Sequence, residues 1–252
     1  MRSGEDIVTT TPKLDRSTAP RAGEELPVDR LSEYLRDRLP GNLDSLVVEQ
    51  FPHGHSNLTY LLRLGEAEFV LRRPPVGNVV KSAHDPGREY RVLSRLGAVY
   101  PAAPRALLYC EDESVIGAPF YVMERRLGVI LRQRLPAGVT IDASMARTLS
   151  LTLIRGLAEL HQLDYAAAGL GDLGKPEGYT TRQVTGWIDR YRKAETSSVP
   201  AMDQVATWLS ATVPQAAAAA LIHNDYKYDN VLLDPADLTH VVAASLTVGP
   251  QA

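Results

Sequence analysis

The stretch His223-Asn224-Asp225-Tyr226-Lys227-Tyr228-Asp229-Asn230 has the frame His-x-Asp, then four residues, then Asn. That spacing suits phosphoryl transfer, a reaction that asks the protein for positioning and charge more than for covalent help. Asp225 would orient a substrate hydroxyl and accept its proton. Asn230 would reach a magnesium ion beside the same phosphate. The apolar run Val231-Leu232-Leu233 reads as a strand that fixes the separation of the two side chains. A plain polar turn between helix and strand explains this octapeptide equally well by itself, since Asp and Asn are favoured in turns.

Three other places add to the pattern. Pro52-His53-Gly54-His55-Ser56-Asn57-Leu58 is a turn whose glycine and backbone N–H groups can fold over phosphates, with Ser56 and Asn57 as further donors. Arg72 ends a strand-like run, where a cation can bridge two phosphates. Glu89 lies on the helix that follows, where a carboxylate can hold that cation in place. Each feature has a bland counterpart, a hairpin turn or a surface charge. The bland readings leave their order along the chain unexplained.

The elements that must position these residues fall into two halves. Val28, Leu31, Leu35 and Leu39 recur at helical spacing, and Pro40-Gly41 stops that helix. Strands are expected at Leu46 to Phe51, Leu58 to Leu64 and Glu68 to Arg72, the last two joined by Gly65-Glu66-Ala67. A helix follows over Asp85 to Leu96. Two more strands, Ala106 to Cys110 and Phe120 to Glu124, flank a polar turn. Beyond a hinge near residue 124 the pattern becomes helical: Ser144 to Leu163, Thr181 to Ala194 and Ala201 to Leu209. A hairpin closes the series, with strands at Asn230 to Asp234 and His240 to Ala244 around the turn Asp234-Pro235-Ala236-Asp237. The expected organisation is a flexible tail over 1–28, a β-rich lobe over 29–124 and a helical lobe over 125–252. The tail follows from its Thr, Pro, Arg and Glu content, which offers little apolar surface to bury.

Composition narrows the partners. A net charge of −3 gives no reason to expect nucleic acid or an anionic membrane surface, and no apolar run is long enough to span a bilayer. The single cysteine, Cys110, excludes a disulfide within the chain and fits a cytoplasmic protein. It sits in an apolar run and reads as a buried structural thiol. His161, Trp187 and Trp208 read as packing residues of the core or its rim.

Read together, these stretches resemble the aminoglycoside-phosphotransferase and choline-kinase superfamily. Within it they are most similar to a branch related to the kinase-like domain of acyl-CoA dehydrogenase fusion proteins. The resemblance runs from about residue 31 to residue 243. It is carried by Gly54 to Tyr60, Phe69 to Pro75, Arg88 to Leu93, Gly117 to Glu124, Leu160-His161, Gly178-Tyr179, Arg182 to Val184, Trp187 and His223 to Asp234. It implies an α+β, protein-kinase-like fold of two lobes: a small antiparallel β lobe with one helix, and a helical lobe. It implies an ATP- and Mg2+-dependent small-molecule kinase acting on a hydroxyl group, its acceptor unidentified. Gly54, His55, Ser56 and Asn57 would form the phosphate loop. Arg72 stands where most relatives carry lysine, and Glu89 would pair with it. The backbone of Met123, Glu124, Arg125 and Arg126 would bind adenine. Asp225 would be the catalytic base and Asn230 a magnesium ligand. Asn224 replaces a glycine usual in the branch.

One departure is large. After Val241-Val242-Ala243 the family pattern continues to an aspartate that ligates magnesium, usually followed by Trp and Glu. Here the chain reads Ala244-Ser245-Leu246-Thr247-Val248-Gly249-Pro250-Gln251-Ala252. A lone amide holds a hard cation poorly. The departure implies impaired magnesium binding, and a truncated or frame-shifted copy with an incomplete helical lobe and exposed apolar helix faces. The alternative function is an inactive pseudokinase or fragment. A binding module without nucleotide is a third reading.

Overall fold

The computed structural model of the protein describes residues 14–52, 57–75, 85–136, 138–215 and 218–244. Its first half is a five-stranded antiparallel sheet built from β1 (Leu46–Gln50), β2 (Leu58–Leu64), β3 (Ala67–Arg73), β4 (Ala106–Cys110) and β5 (Phe120–Glu124). The spatial order is β1-β2-β3-β5-β4. Strand periodicity explains how the sheet serves two layers, because alternate residues point to opposite faces. Tyr60, Leu62, Leu71, Phe120 and Val122 face one core together with Leu31 and Leu35 of helix α1 (Val28–Leu35). Tyr121 faces the other core, with Val92, Leu93 and Leu96 of helix α2 (Pro86–Leu96) and with Leu160 and Leu170 from the second half of the chain. That second core fastens the two lobes together.

Helix α2 starts where capping chemistry places it. The Asp85 carboxylate accepts from the Arg88 N–H, and Pro86 occupies the first turn, where its missing N–H costs nothing. The link expected to be a plain turn between β4 and β5 contains a one-turn helix, α3 (Glu113–Ile116), capped by Asp112. In the second half, α4 (Ala143–Gln162) is capped by Asp142. Helices α5 (Tyr179–Ala194) and α6 (Pro200–Ala211) follow, then a hairpin of β6 (Val231–Leu233) and β7 (Val241–Ala244). Trp187 and Trp208 are both 63 % exposed, at the rim rather than in a core, and the Arg190 guanidinium lies over the Trp187 ring. Among the described residues no helix is long and apolar enough to cross a membrane.

The β6–β7 hairpin is tied to the segment after the hinge. Val129 and Leu233 exchange backbone hydrogen bonds of 2.8 and 2.9 Å. The approach is close enough to require a glycine. A Cβ at Gly128 would lie 2.8 Å from the Leu232 Cβ and 3.0 Å from the Leu233 carbonyl oxygen.

The largest difference from the sequence expectation is at the N-terminus. Residues 14–27 are tied to the rest of the protein, not loose as expected of a tail through residue 28. Thr18 and Gln50 exchange backbone hydrogen bonds of 2.9 and 2.7 Å. The Tyr60 hydroxyl donates to the Glu24 carbonyl at 2.7 Å, and Leu26 is buried. The segment has few apolar side chains and is held mainly through polar groups, which composition does not foretell.

Candidate nucleotide site

The lobes enclose a cavity of about 530 Å³, lined by Asn57, Val70, Arg72, Met123 to Gly128, Asp225, Lys227, Asp229, Asn230 and Leu232. Four separate stretches supply these residues, and each is brought in by an element described above.

Strand β3 delivers Arg72, and helix α2 delivers Glu89 opposite it. Both are buried. The Arg72 guanidinium lies 3.5 Å from Glu89 Oε2. The Asn57 amide donates to Glu89 Oε1 at 2.7 Å, and the Tyr121 hydroxyl donates to Oε2 at 2.8 Å. The expected pair is therefore a four-membered cluster. Burial opposes the Arg72 charge, but Tyr121 and Glu89 outweigh it and hold the guanidinium more firmly protonated than usual. Burial also pushes the Tyr121 phenol far up, so it stays a donor. Asn57 spends its amide N–H on Glu89, which makes it a brace for the cation. Gly54, His55 and Ser56, assigned to the phosphate loop, lie outside the described residues.

At the hinge, Met123 and Glu124 end β5, and both line the cavity with Arg125 and Arg126. The Glu124 side chain accepts from Arg105, with bonds of 3.1 Å from its N–H and 3.0 Å from its Nε, and from Arg126, 2.6 Å from its Nε. Burial raises the Glu124 carboxyl, but the Arg105 N–H and the two guanidinium groups more than reverse this and hold it below the usual range. Arg125 pairs with Glu68. The hinge side chains thus fix the strand end.

The segment from His223 to Asn230 is seated from both sides. The Asp225 N–H donates to Nδ1 of buried His223 at 3.3 Å. The Tyr226 ring meets His223 edge-on at 5.3 Å, and its hydroxyl end rests over Gly156 of α4, where a Cβ would collide with it. Asp225 Oδ1 lies 3.0 Å from Lys227 Nζ. Asn230 donates through Nδ2 to Asp225 Oδ2 and to the Asp225 carbonyl, each at 2.8 Å. The Asn230 amide oxygen is the end of that side chain not turned to Asp225. Lys227 and Tyr121 are the site residues that sequence reasoning passed over. Lys227 sits inside the quoted frame, two residues after the aspartate, and its cation could have been read there. Tyr121 needs the register of β3 against β5, where it stands opposite Arg72.

Asn224 takes a left-handed backbone, φ +64°. Asparagine suits the position, since it enters this region at lower cost than most other side chains. Asn224→Val should lower stability by ~1–2 kcal/mol, and Asn224→Gly should leave it level or slightly higher. Thermal unfolding of the three proteins decides the point; three equal midpoints would contradict the reading.

Comparison with known proteins gives one concordant result. The family model described as "Phosphotransferase enzyme family" matches residues 47–243. Acyl-CoA dehydrogenase family member 11 of Rattus norvegicus is 38 % identical over 210 residues, which cover 81 % of this chain and 27 % of that protein. Member 10 of Mus musculus is 36 % identical over 211 residues, covering 83 % and 20 %. The chain therefore spans about a fifth to a quarter of the length of these relatives. A crystal structure from Ralstonia eutropha, provisionally assigned as an aminoglycoside phosphotransferase, superposes with a TM-score of 0.73 at 34 % identity, covering 87 % of this chain and 64 % of that one. The streptomycin–ATP ternary complex of APH(2")-IIa shares the fold, with a TM-score of 0.52 at 16 % identity, covering 85 % and 68 %.

Proposed function

This chain belongs to the phosphotransferase enzyme family, and from that premise we propose that it binds ATP between its lobes and transfers the terminal phosphoryl group to a hydroxyl of a small molecule. The observation that carries this reading is the meeting, around one cavity, of Arg72 with its Glu89 brace, the hinge residues, and Asp225 with Lys227 and Asn230. The residues fit the nucleotide in kind. The backbone from Met123 to Arg126 would take the base, and Arg72 the inner phosphates. Lys227 would meet the terminal phosphate. Asp225 would accept the proton of the attacking hydroxyl as its oxygen bonds to phosphorus and the bridging bond to ADP breaks. The amide oxygen of Asn230 is suited to a magnesium ion, which would screen charge between the phosphates. The solved complex with streptomycin and ATP is a precedent for such a fold holding a nucleotide and a second small molecule at once. Here the acceptor is defined only as a small-molecule alcohol.

A second reading is favoured by a specific observation. Residues 245–252, where the family pattern places its magnesium aspartate, contain no Asp or Glu. That favours a protein that holds the nucleotide without turning it over. Calorimetric titration of the full chain with ATP, with and without magnesium, separates the two. The phosphotransferase reading expects magnesium to tighten ATP at least about tenfold and to permit slow ATP hydrolysis. Equal affinity in the two buffers with no ADP formed selects the second reading. Absence of ATP binding in both sinks both.

A further inference from the structure

The cavity has a wall that the nucleotide reading does not use. Leu14 and Asp15 line it from the N-terminal segment, more than thirty residues before the first strand that faces it. Asp15 accepts two parallel hydrogen bonds from Arg132, 3.1 Å from Nη1 to Oδ1 and 3.0 Å from Nη2 to Oδ2. Arg132 lies in the segment after the hinge and lines the same cavity. Leu14 packs with the cluster of Val129, Leu131 and Leu149. A few residues on, Thr18 is bonded through its backbone to Gln50 at the end of β1, and Ser17 donates to Glu49 at 2.5 Å. One short stretch thus grips the sheet lobe at Ser17 and Thr18 and the helical lobe at Leu14 and Asp15, passing the cavity between them.

We propose that residues 14–18 belong to the nucleotide site as a strap across its mouth, with the Asp15–Arg132 pair as the latch that sets how long a bound nucleotide stays. This rests on the nucleotide reading above. A ligand in the cavity leaves past the strap only when the latch parts. The bidentate, half-buried geometry makes that parting costlier than for an exposed pair. Asp15 is a positioning residue: it acts through Arg132 and through closure.

The test is the dissociation rate of ADP from the full chain, followed by surface plasmon resonance on wild type, Asp15→Asn and the charge swap Asp15→Arg with Arg132→Asp. Asp15→Asn should release ADP about fivefold faster, the effect of losing a well-made ion pair, with a thermal midpoint close to wild type. The swap should recover most of the slow release. If Asp15→Asn binds ADP and releases it at the wild-type rate, the strap is only a brace and the proposal is overturned, whatever its unfolding midpoint. A swap that releases ADP as fast as Asp15→Asn also overturns the latch. Failure of the wild-type chain to bind ADP overturns the nucleotide reading, and this inference with it.

Discussion

Replacing Asp225 by alanine should cut ATP-dependent phosphorylation by roughly 10²- to 10⁴-fold, the range expected when a general base is removed. Nucleotide affinity should hold or rise. Asp225 is about half exposed, and its carboxylate lies 3.0 Å from the Lys227 ammonium and accepts from Asn230 at 2.8 Å. Deleting it removes a negative charge from a place where phosphates gather and leaves Lys227 free to meet them. The expected pattern is therefore a collapse of kcat with an unchanged or lower KM for ATP, which marks an interaction made only in the transition state. Single-turnover kinetics on Asp225→Ala and Asp225→Asn would show it. A variant with wild-type turnover would remove Asp225 from the base's role. No turnover in the wild-type chain either, with nucleotide still bound, would select the reading as an inactive nucleotide binder.

The parts of this site that could be read from sequence are those whose partners lie close along the chain. Asp225 and Asn230 sit on one loop, and their mutual hydrogen bond follows from the local frame. Arg72 and Glu89 are also near neighbours, on a strand and the helix after it. Their pairing could be expected from order alone. Tyr121 is different. It reaches Glu89 only because β3 pairs with β5 in a register that sets Arg72 opposite it, and registers between distant strands leave little trace in sequence. The N-terminal strap is the extreme case. Asp15 and Arg132 are 117 positions apart, and the segment carries too few apolar residues to announce itself by periodicity. Polar tethers such as Thr18 to Gln50 have no sequence pattern. Composition offers little there to bury and gives no sign that hydrogen bonds hold it.

Glu89→Ala tests the cluster behind the cation, and its effects should be larger on stability than those of any exposed residue of the site. Glu89 is 6 % exposed and accepts from Asn57 and Tyr121 while facing Arg72. Its removal strips the Asn57 amide and the Tyr121 hydroxyl of their acceptor and leaves the Arg72 charge buried without its carboxylate. Breaking a buried pair in this way costs ~3–5 kcal/mol, or on the order of 10 °C in the unfolding midpoint of a chain this size. Nucleotide binding should fall too, because Arg72 loses the brace that aims it. Stability and binding can be separated with the double variant Arg72→Met, Glu89→Met. Replacing both charges by apolar groups of similar volume removes the uncompensated ion, so part of the lost stability should return. Asn57 and Tyr121 would still lack an acceptor, so recovery should stop short of wild type. ATP binding should not return, because the cation itself is gone. A double variant that binds ATP as wild type does would show that Arg72 holds the fold and not the phosphates. A single Glu89→Ala that unfolds within ~1 kcal/mol of wild type would show that the cluster is solvated rather than buried.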